Sequence, residues 1–374
     1  MIIVADDNMP LVEQFFAPLG TIRRLPGRSM QAEALADADI LLVRSITKVN
    51  AELLAQASKL RFIGTATIGT DHLDIAEIER RAIAWTNAAG CNAQSVVEYV
   101  LSCLLLEAER RQMPLQQLRV GVVGVGQIGT RLVKALRALN VTVLQCDPPR
   151  AALEPSFPHL ELSSLLTQVD IVSLHVPLVR QGQHATLHLL HRELLASLPP
   201  ELTIINACRG EVVDNQALLE EQRAGRYRAL YLDVWEGEPQ PLRELVPYCQ
   251  IATAHIAGHS VEGKARGTEM LYQAVCGLLG EPASRQLADF LPTPAIASLT
   301  LTPEYQDADL SALCRLLYDV RRDDRLFRQH LDGLGFDWLR KHYPARREFS
   351  ALTLLGQVPP SLNQLGFLTP STQD

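Results

Sequence analysis

Three residues in the second half of the chain have the side chains and spacing to move a proton and a hydride. Arg209 stands in Asn206-Ala207-Cys208-Arg209-Gly210, and Glu238 in Asp233-Val234-Trp235-Glu236-Gly237-Glu238-Pro239. His255 opens His255-Ile256-Ala257-Gly258-His259. Each follows a short apolar run that reads as a strand: Thr203 to Asn206, Leu230 to Asp233, and Ile251 to Ala254. Open α/β sheets gather their ligands beyond the carboxyl ends of strands, so the three fall on one edge. A histidine titrates in the range needed to take a hydroxyl proton. A carboxylate beside the imidazole orients it and favours its protonated form. A guanidinium grips a substrate carboxylate through two parallel hydrogen bonds and polarises the carbonyl that forms. Taken singly, each has a plainer reading as a loop histidine, an Arg-Gly turn and an exposed Gly-Glu-Pro bend. Their joint placement is what points to oxidation of a hydroxy acid.

Such a reaction needs a hydride acceptor, and the chain carries a site for one. Gly124-Val125-Gly126-Gln127-Ile128-Gly129 is a GxGxxG run set after the strand Val120 to Val123 and before the helix Ile128 to Leu139. The first glycine permits the tight turn, the second lets main-chain N–H groups approach a pyrophosphate, and the third lets the helix pack closely. The helix N-terminus then faces the phosphate charge. Asp147 ends the next strand, Val141 to Cys146, and lies 18 residues beyond Gly129. A carboxylate there hydrogen-bonds a ribose 2′-hydroxyl and repels a 2′-phosphate, so NAD is expected over NADP. Arg150 is the residue nearby that could accept the extra phosphate.

These segments must be positioned by two α/β layers. Strands are expected at Ile2 to Ala5, Ile40 to Arg44 and Arg61 to Thr65, in a first layer. A long helix from Ser95 to Arg110 leads into a doubly wound second layer, with a further strand at Ile171 to His175. A helix from Val261 to Leu279 would carry the chain back to the first layer. The domains expected are therefore 1–94 with 259–285, then 95–258, then a small C-terminal domain at 286–374. Pro292-Thr293-Pro294 reads as a linker to that tail, which holds a helical pattern at Leu310 to Leu317 and a basic stretch with Arg340, Lys341, Arg346 and Arg347.

A length of 374 residues suits two or three domains. The formal charge of -7 argues against a nucleic-acid binder, so an anionic substrate must be held by local arginines. The seven cysteines form no CxxC pair and several sit in apolar runs, as reduced thiols of a cytoplasmic protein would. The N-terminus reads as a first strand rather than a signal peptide, no apolar run reaches the ~20 residues of a membrane span, and no metal site is expected.

The Gly124 to Gly129 run, with the motifs around Arg209, Glu238 and His255, resembles the D-isomer-specific 2-hydroxyacid dehydrogenases. That resemblance implies two Rossmann-like or flavodoxin-like parallel-sheet domains with the active site in the cleft between them. It also implies a catalytic set of Arg209, Glu238 and His255. By the same resemblance NAD is lined by Gly124, Gly126, Gln127, Ile128, Gly129, Asp147, His175, Ala207, Cys208, Asp233 and Gly258. A closer likeness rests on Leu42-Val43-Arg44-Ser45-Ile46-Thr47, on Gly64 to Asp74, on Glu262 to Thr268 and on the tail. It is to members of the family that oxidise 4-phospho-D-erythronate during pyridoxal 5′-phosphate synthesis. It implies that Ser45 and Thr67 touch substrate, with Arg44 suited to an anion, and that a small α+β tail forms a homodimer. Where those members carry tyrosine after the equivalent of Gly258, this chain has His259, whose strength as a substrate partner would vary with pH. Other expectations within reach of the same motifs are a phosphoglycerate or hydroxypyruvate dehydrogenase and an NAD-sensing, corepressor-like binding protein. The intact Arg209, Glu238 and His255 count against the last.

Overall fold

A computed structural model describes residues 1–370 and divides them into two compact units. The first comprises Met1–Asn92 and Ser260–Thr293, and the second Ala93–His259 with the chain from Pro294 onward. The separate C-terminal domain expected at 286–374 is therefore corrected: residues 286–293 belong to the first unit, and from Pro294 the tail clusters with the Ala93–His259 segment as one unit.

The first unit is built on a parallel five-stranded sheet: β1 (Ile2–Asp6), β2 (Thr21–Leu25), β3 (Ile40–Val43), β4 (Phe62–Thr65) and β5 (Ala84–Asn87). Its order is β2-β1-β3-β4-β5, a doubly wound arrangement whose direction reverses between β1 and β3. The inner strands are buried on both faces and read as continuous apolar runs, which is why they were visible in sequence. The edge strands β2 and β5 were not expected, because they are half-exposed and carry residues such as Arg23, Arg24, Thr86 and Asn87. Helix Val261–Leu279 begins at Ser260, whose hydroxyl caps the Gly263 N–H, and ends at Gly280 with φ +72°. Its Leu271, Tyr272 and Val275 pack with Ile3, Ala5 and Phe15.

The second unit has a parallel six-stranded sheet: β6 (Arg119–Val123), β7 (Thr142–Cys146), β8 (Ile171–Leu174), β9 (Thr203–Asn206), β10 (Leu230–Leu232) and β11 (Ile251–Ala252). The order is β11-β10-β9-β8-β6-β7, so the reversal lies between β6 and β8, where the glycine-rich turn sits. An isolated parallel bridge from Gln145 to His159 extends the edge beyond β7. Two further strands in the tail, β12 (Ser298–Leu301) and β13 (Thr353–Gly356), pair in parallel. The tail is no appendage: Leu313, Phe327, Phe349 and Leu354 share one core with Val120 and Ile204. Each such side chain contributes ~1.5–3 kcal/mol on burial. Removing the tail would therefore open the core of this unit rather than release an independent module.

Candidate active site

The glycine turn fits a dinucleotide in a way that its three glycines report separately. Gly124 has φ +85°, and a β-carbon there would stand 2.6 Å from the His175 carbonyl oxygen. A β-carbon on Gly129 would meet the Gly124 carbonyl oxygen at 2.1 Å, so this glycine lets helix Gln127–Ala138 close onto β6. Gly126 is different: nothing lies within 4 Å of where its β-carbon would be. Its lack of a side chain relieves no clash inside the protein. It leaves an open cradle at a helix N-terminus, where a pyrophosphate would lie.

Asp147 caps the short helix Pro148–Leu153 by accepting the Arg150 N–H, and its other oxygen takes the Val125 N–H at 2.7 Å. The acid is thus fixed against the glycine turn. Arg150 is spent locally, since its guanidinium donates to the Val125 carbonyl and Glu154 and lies over the Phe157 ring. It is not a free partner for a 2′-phosphate, which favours NAD. His175 continues from β8, donating its N–H to Val123 and pairing Nε2 with the Ser173 hydroxyl. Burial pushes its imidazole down to about 3, so it is neutral. Gln127 and Ile128 open the helix, Gln127 exposed and Ile128 half-buried.

At the end of β9 the Asn206 side chain braces the turn that holds Ala207, Cys208 and Arg209. Its oxygen accepts the Cys208 N–H, and its amide donates to the Arg209 carbonyl. Cys208 is buried, and burial pushes its thiol up to about 11, so it is no nucleophile. A β-carbon on Gly210 would stand 1.9 Å from the Trp235 carbonyl carbon. That close approach lays the Arg209 turn onto the segment carrying Glu238. Neither Asn206 nor Gly210 was singled out from the sequence, although both stand inside the motif.

Glu238 accepts the Trp235 N–H on one oxygen and pairs with His255 Nδ1 on the other, at 2.7 Å. With Nδ1 committed to a carboxylate, Nε2 is the ring nitrogen left to exchange a proton with a ligand. The His255 main chain is in the left-handed region, φ +55°, and its N–H is bonded to the Asp233 carbonyl. The Asp233 carboxylate accepts the N–H groups of Ile256 and Ala257 and the Thr253 hydroxyl. It is buried and braces the turn. Gly258 and His259 follow, half-buried, with the His259 ring edge-on to Tyr343.

In the first unit, Arg44 and Ser45 follow β3, and Thr67 follows β4. Thr67 donates to the Gly69 carbonyl at 3.0 Å and is 2.7 Å from the Thr65 hydroxyl, which reaches His72 Nε2 at 2.9 Å. Burial lowers the His72 pKa, which favours the neutral ring. Among the described residues no group of three or more His, Cys, Asp or Glu side chains is placed to hold a metal ion, and no helix is long and apolar enough to cross a membrane.

Comparison with known proteins agrees with this geometry. Residues 98–257 match the D-isomer specific 2-hydroxyacid dehydrogenase NAD binding domain, and residues 290–368 match a domain of unknown function. The chain is 51% identical to erythronate-4-phosphate dehydrogenase of Pseudoalteromonas translucida, across 98% of this chain and 99% of that protein. It is 51% identical to the enzyme of the same name from Pseudomonas aeruginosa, across 94% of each. In fold it resembles D-lactate dehydrogenase of Aquifex aeolicus solved with NAD and lactic acid, with a TM-score of 0.59 and 23% identity over 75% of this chain and 96% of that one. The glycine turn, the strand-edge residues and these likenesses agree: the chain belongs to the erythronate-4-phosphate dehydrogenases, within the D-isomer specific 2-hydroxyacid dehydrogenases that carry an NAD-binding domain.

Proposed function

We propose that the protein oxidises 4-phospho-D-erythronate at C2 to (R)-3-hydroxy-2-oxo-4-phosphooxybutanoate, as a step of pyridoxal 5′-phosphate synthesis. The observation that carries the chemistry is the 2.7 Å pairing of His255 Nδ1 with Glu238, which reserves Nε2 for the substrate. The substrate itself is taken from the names of relatives about half identical over nearly the whole chain.

NAD, when bound, supplies the acceptor for the hydride that leaves C2. Gly124 to Gly129 would hold its pyrophosphate and Asp147 its ribose, with His175, Ala207, Cys208, Asp233 and Gly258 shaping the rest of the site. The work of the other residues is proton and charge management. His255 Nε2 takes the proton of the C2 hydroxyl, and Glu238 stabilises the imidazolium that results. Arg209 grips the substrate carboxylate and polarises the new carbonyl. Arg44, Ser45 and Thr67 take the phosphate end, and His259 contributes a further donor.

The test is nicotinamide reduction by the purified protein with 4-phospho-D-erythronate, 3-phospho-D-glycerate and D-lactate, each under single-turnover and steady-state conditions. Preference for the four-carbon phosphate supports the assignment. Preference for another acid moves the protein to a different substrate, and tight NAD binding with no turnover makes it a sensor.

The protein is further proposed to act as a cytoplasmic homodimer. Seven free, buried cysteines suit a reducing compartment, and the tail presents the exposed apolar side chains Leu316, Leu334 and Trp338. Because the tail is part of the core, the dimer is tested by Leu334→Glu and Trp338→Glu rather than by truncation. A smaller solution mass is expected, and unchanged mass in both variants rejects this surface.

A further inference from the structure

The tail has a second role that its surface does not show. From sequence, Arg346 belongs to a basic stretch whose plain reading is a solvated face, with reach to a substrate phosphate as the alternative. In the structure it is only 5% exposed, and its guanidinium bridges two distant stretches of main chain. Nη2 donates to the Ser95 carbonyl at 2.7 Å, and Nη1 to the Ala257 carbonyl at 3.2 Å. The guanidinium lies 3.5 Å from the centre of the Tyr318 ring. Tyr318 is held in turn by the Asp323 carboxylate.

Ala257 is two residues from His255, in the turn braced by Asp233. That brace acts on the N–H side of the turn only, through Ile256 and Ala257. On the carbonyl side the His259 N–H holds Ile256, and Arg346 adds the hold on Ala257 from outside the turn. The need for two holds is visible at His255, whose left-handed backbone is unfavourable for a residue with a β-carbon and persists only where the surroundings over-determine it. A buried charge is also a poor device for stability alone, because apolar replacements often serve as well. What a guanidinium offers and other side chains do not is several donors in a fixed plane, able to reach two acceptors at once.

We propose that Arg346 is a positioning residue for the reaction: the tail clamps the His255–Gly258 turn through the Ala257 carbonyl and so fixes where His255 presents Nε2. This rests on the role given to His255 above. The domain of unknown function then supplies part of the catalytic geometry within its own chain.

The test is Arg346→Lys in the full-length protein. Nη2 also lies 3.5 Å from the Glu98 carboxylate; lysine keeps that positive charge but has no planar fork to hold both carbonyls. Turnover of 4-phospho-D-erythronate per NAD-binding site should fall about 10- to 100-fold, the scale of a small misplacement, with KM changing little. Loss of folded protein would lower the number of NAD-binding sites and leave turnover per site unchanged. Deuterium exchange reads the turn without catalysis: the Ile256 and Ala257 amides should exchange at least about tenfold faster, the scale of one lost hydrogen bond, while those of β6 and β8 stay protected. Faster exchange in a protein whose wild type does not turn over this substrate would support the clamp and remove only the substrate assignment. Tyr318→Leu, which removes the ring under the guanidinium and leaves both carbonyls in place, serves if Arg346→Lys does not fold. Wild-type turnover per site together with wild-type exchange in the folded variant overturns the proposal.

Discussion

Glu238 and His255 lie 17 residues apart in sequence and meet through a 2.7 Å contact between a carboxylate oxygen and Nδ1. The same carboxylate also receives the Trp235 N–H, so its position is set by main chain as well as by the histidine. Glu238→Gln preserves shape and removes the charge that would stabilise an imidazolium. A hydrogen bond to a charged partner is worth ~1.5–3 kcal/mol, so kcat should fall about 10- to 100-fold. KM should change little. Steady-state kinetics on the two proteins check this, and an unchanged kcat would remove Glu238 from proton transfer.

The glycine turn separates folding from binding at two positions three residues apart. Gly129→Ala places a methyl group 2.1 Å from a main-chain oxygen and should cost stability, with thermal unfolding shifted down by the equivalent of ~1–3 kcal/mol. Gly126→Ala meets nothing within the protein, so its melting temperature should match the wild type. Its affinity for NAD should drop at least about tenfold, because the methyl group occupies the cradle. Calorimetry and NAD titration on both variants give the comparison. Equal NAD affinity in Gly126→Ala would place the pyrophosphate elsewhere.

Two buried glutamates in helix Ala93–Arg110 set opposite pH dependences of stability. Burial alone would raise the Glu107 carboxyl, but hydrogen bonds from Arg110, Thr203, Arg111 and Tyr231 outweigh it and hold it at about 2. An acid held below its ordinary 4.5 stabilises the fold above that pH, and the contribution is lost as pH falls towards 2. Its full size is ~3 kcal/mol. Glu98 is pushed the other way, to about 8, by burial and by the neighbouring Glu348, against the pull of Arg346. The fold therefore prefers Glu98 uncharged, and stability is lost as pH rises from 4.5 towards 8. Glu98→Gln can still accept the Phe349 N–H and should flatten that alkaline decline. Glu107→Gln should flatten the acid one. Denaturant unfolding across pH measures both slopes.

How much of this was legible in the sequence follows from how local each feature is. The glycine turn, Asp147 and the positions of Arg209, Glu238 and His255 depend on strand ends and short spacings, and the structure places them at one sheet edge. Inner strands were readable because burial on both faces makes them apolar throughout, as in Ile40–Val43. The edge strand Thr21–Leu25 was not, since it is half-exposed along its length and carries arginines at 23 and 24, one on each face. Arg346 could not be read at all: its partners Ser95 and Ala257 lie 251 and 89 residues away, and nothing local distinguishes it from Arg347. The Asp233 carboxylate is a similar case. Its motif was visible, but its bonds to Ile256 and Ala257 cross strands.

The central claim is that His255 takes the C2 hydroxyl proton. Its most direct test is the single-turnover rate of nicotinamide reduction with 4-phospho-D-erythronate, measured for wild type and His255→Ala at saturating NAD. The rate should fall about 10²- to 10⁴-fold in the variant, the scale of a lost general base, with NAD affinity unchanged. A His255→Ala protein that reduced NAD at the wild-type rate would contradict the account.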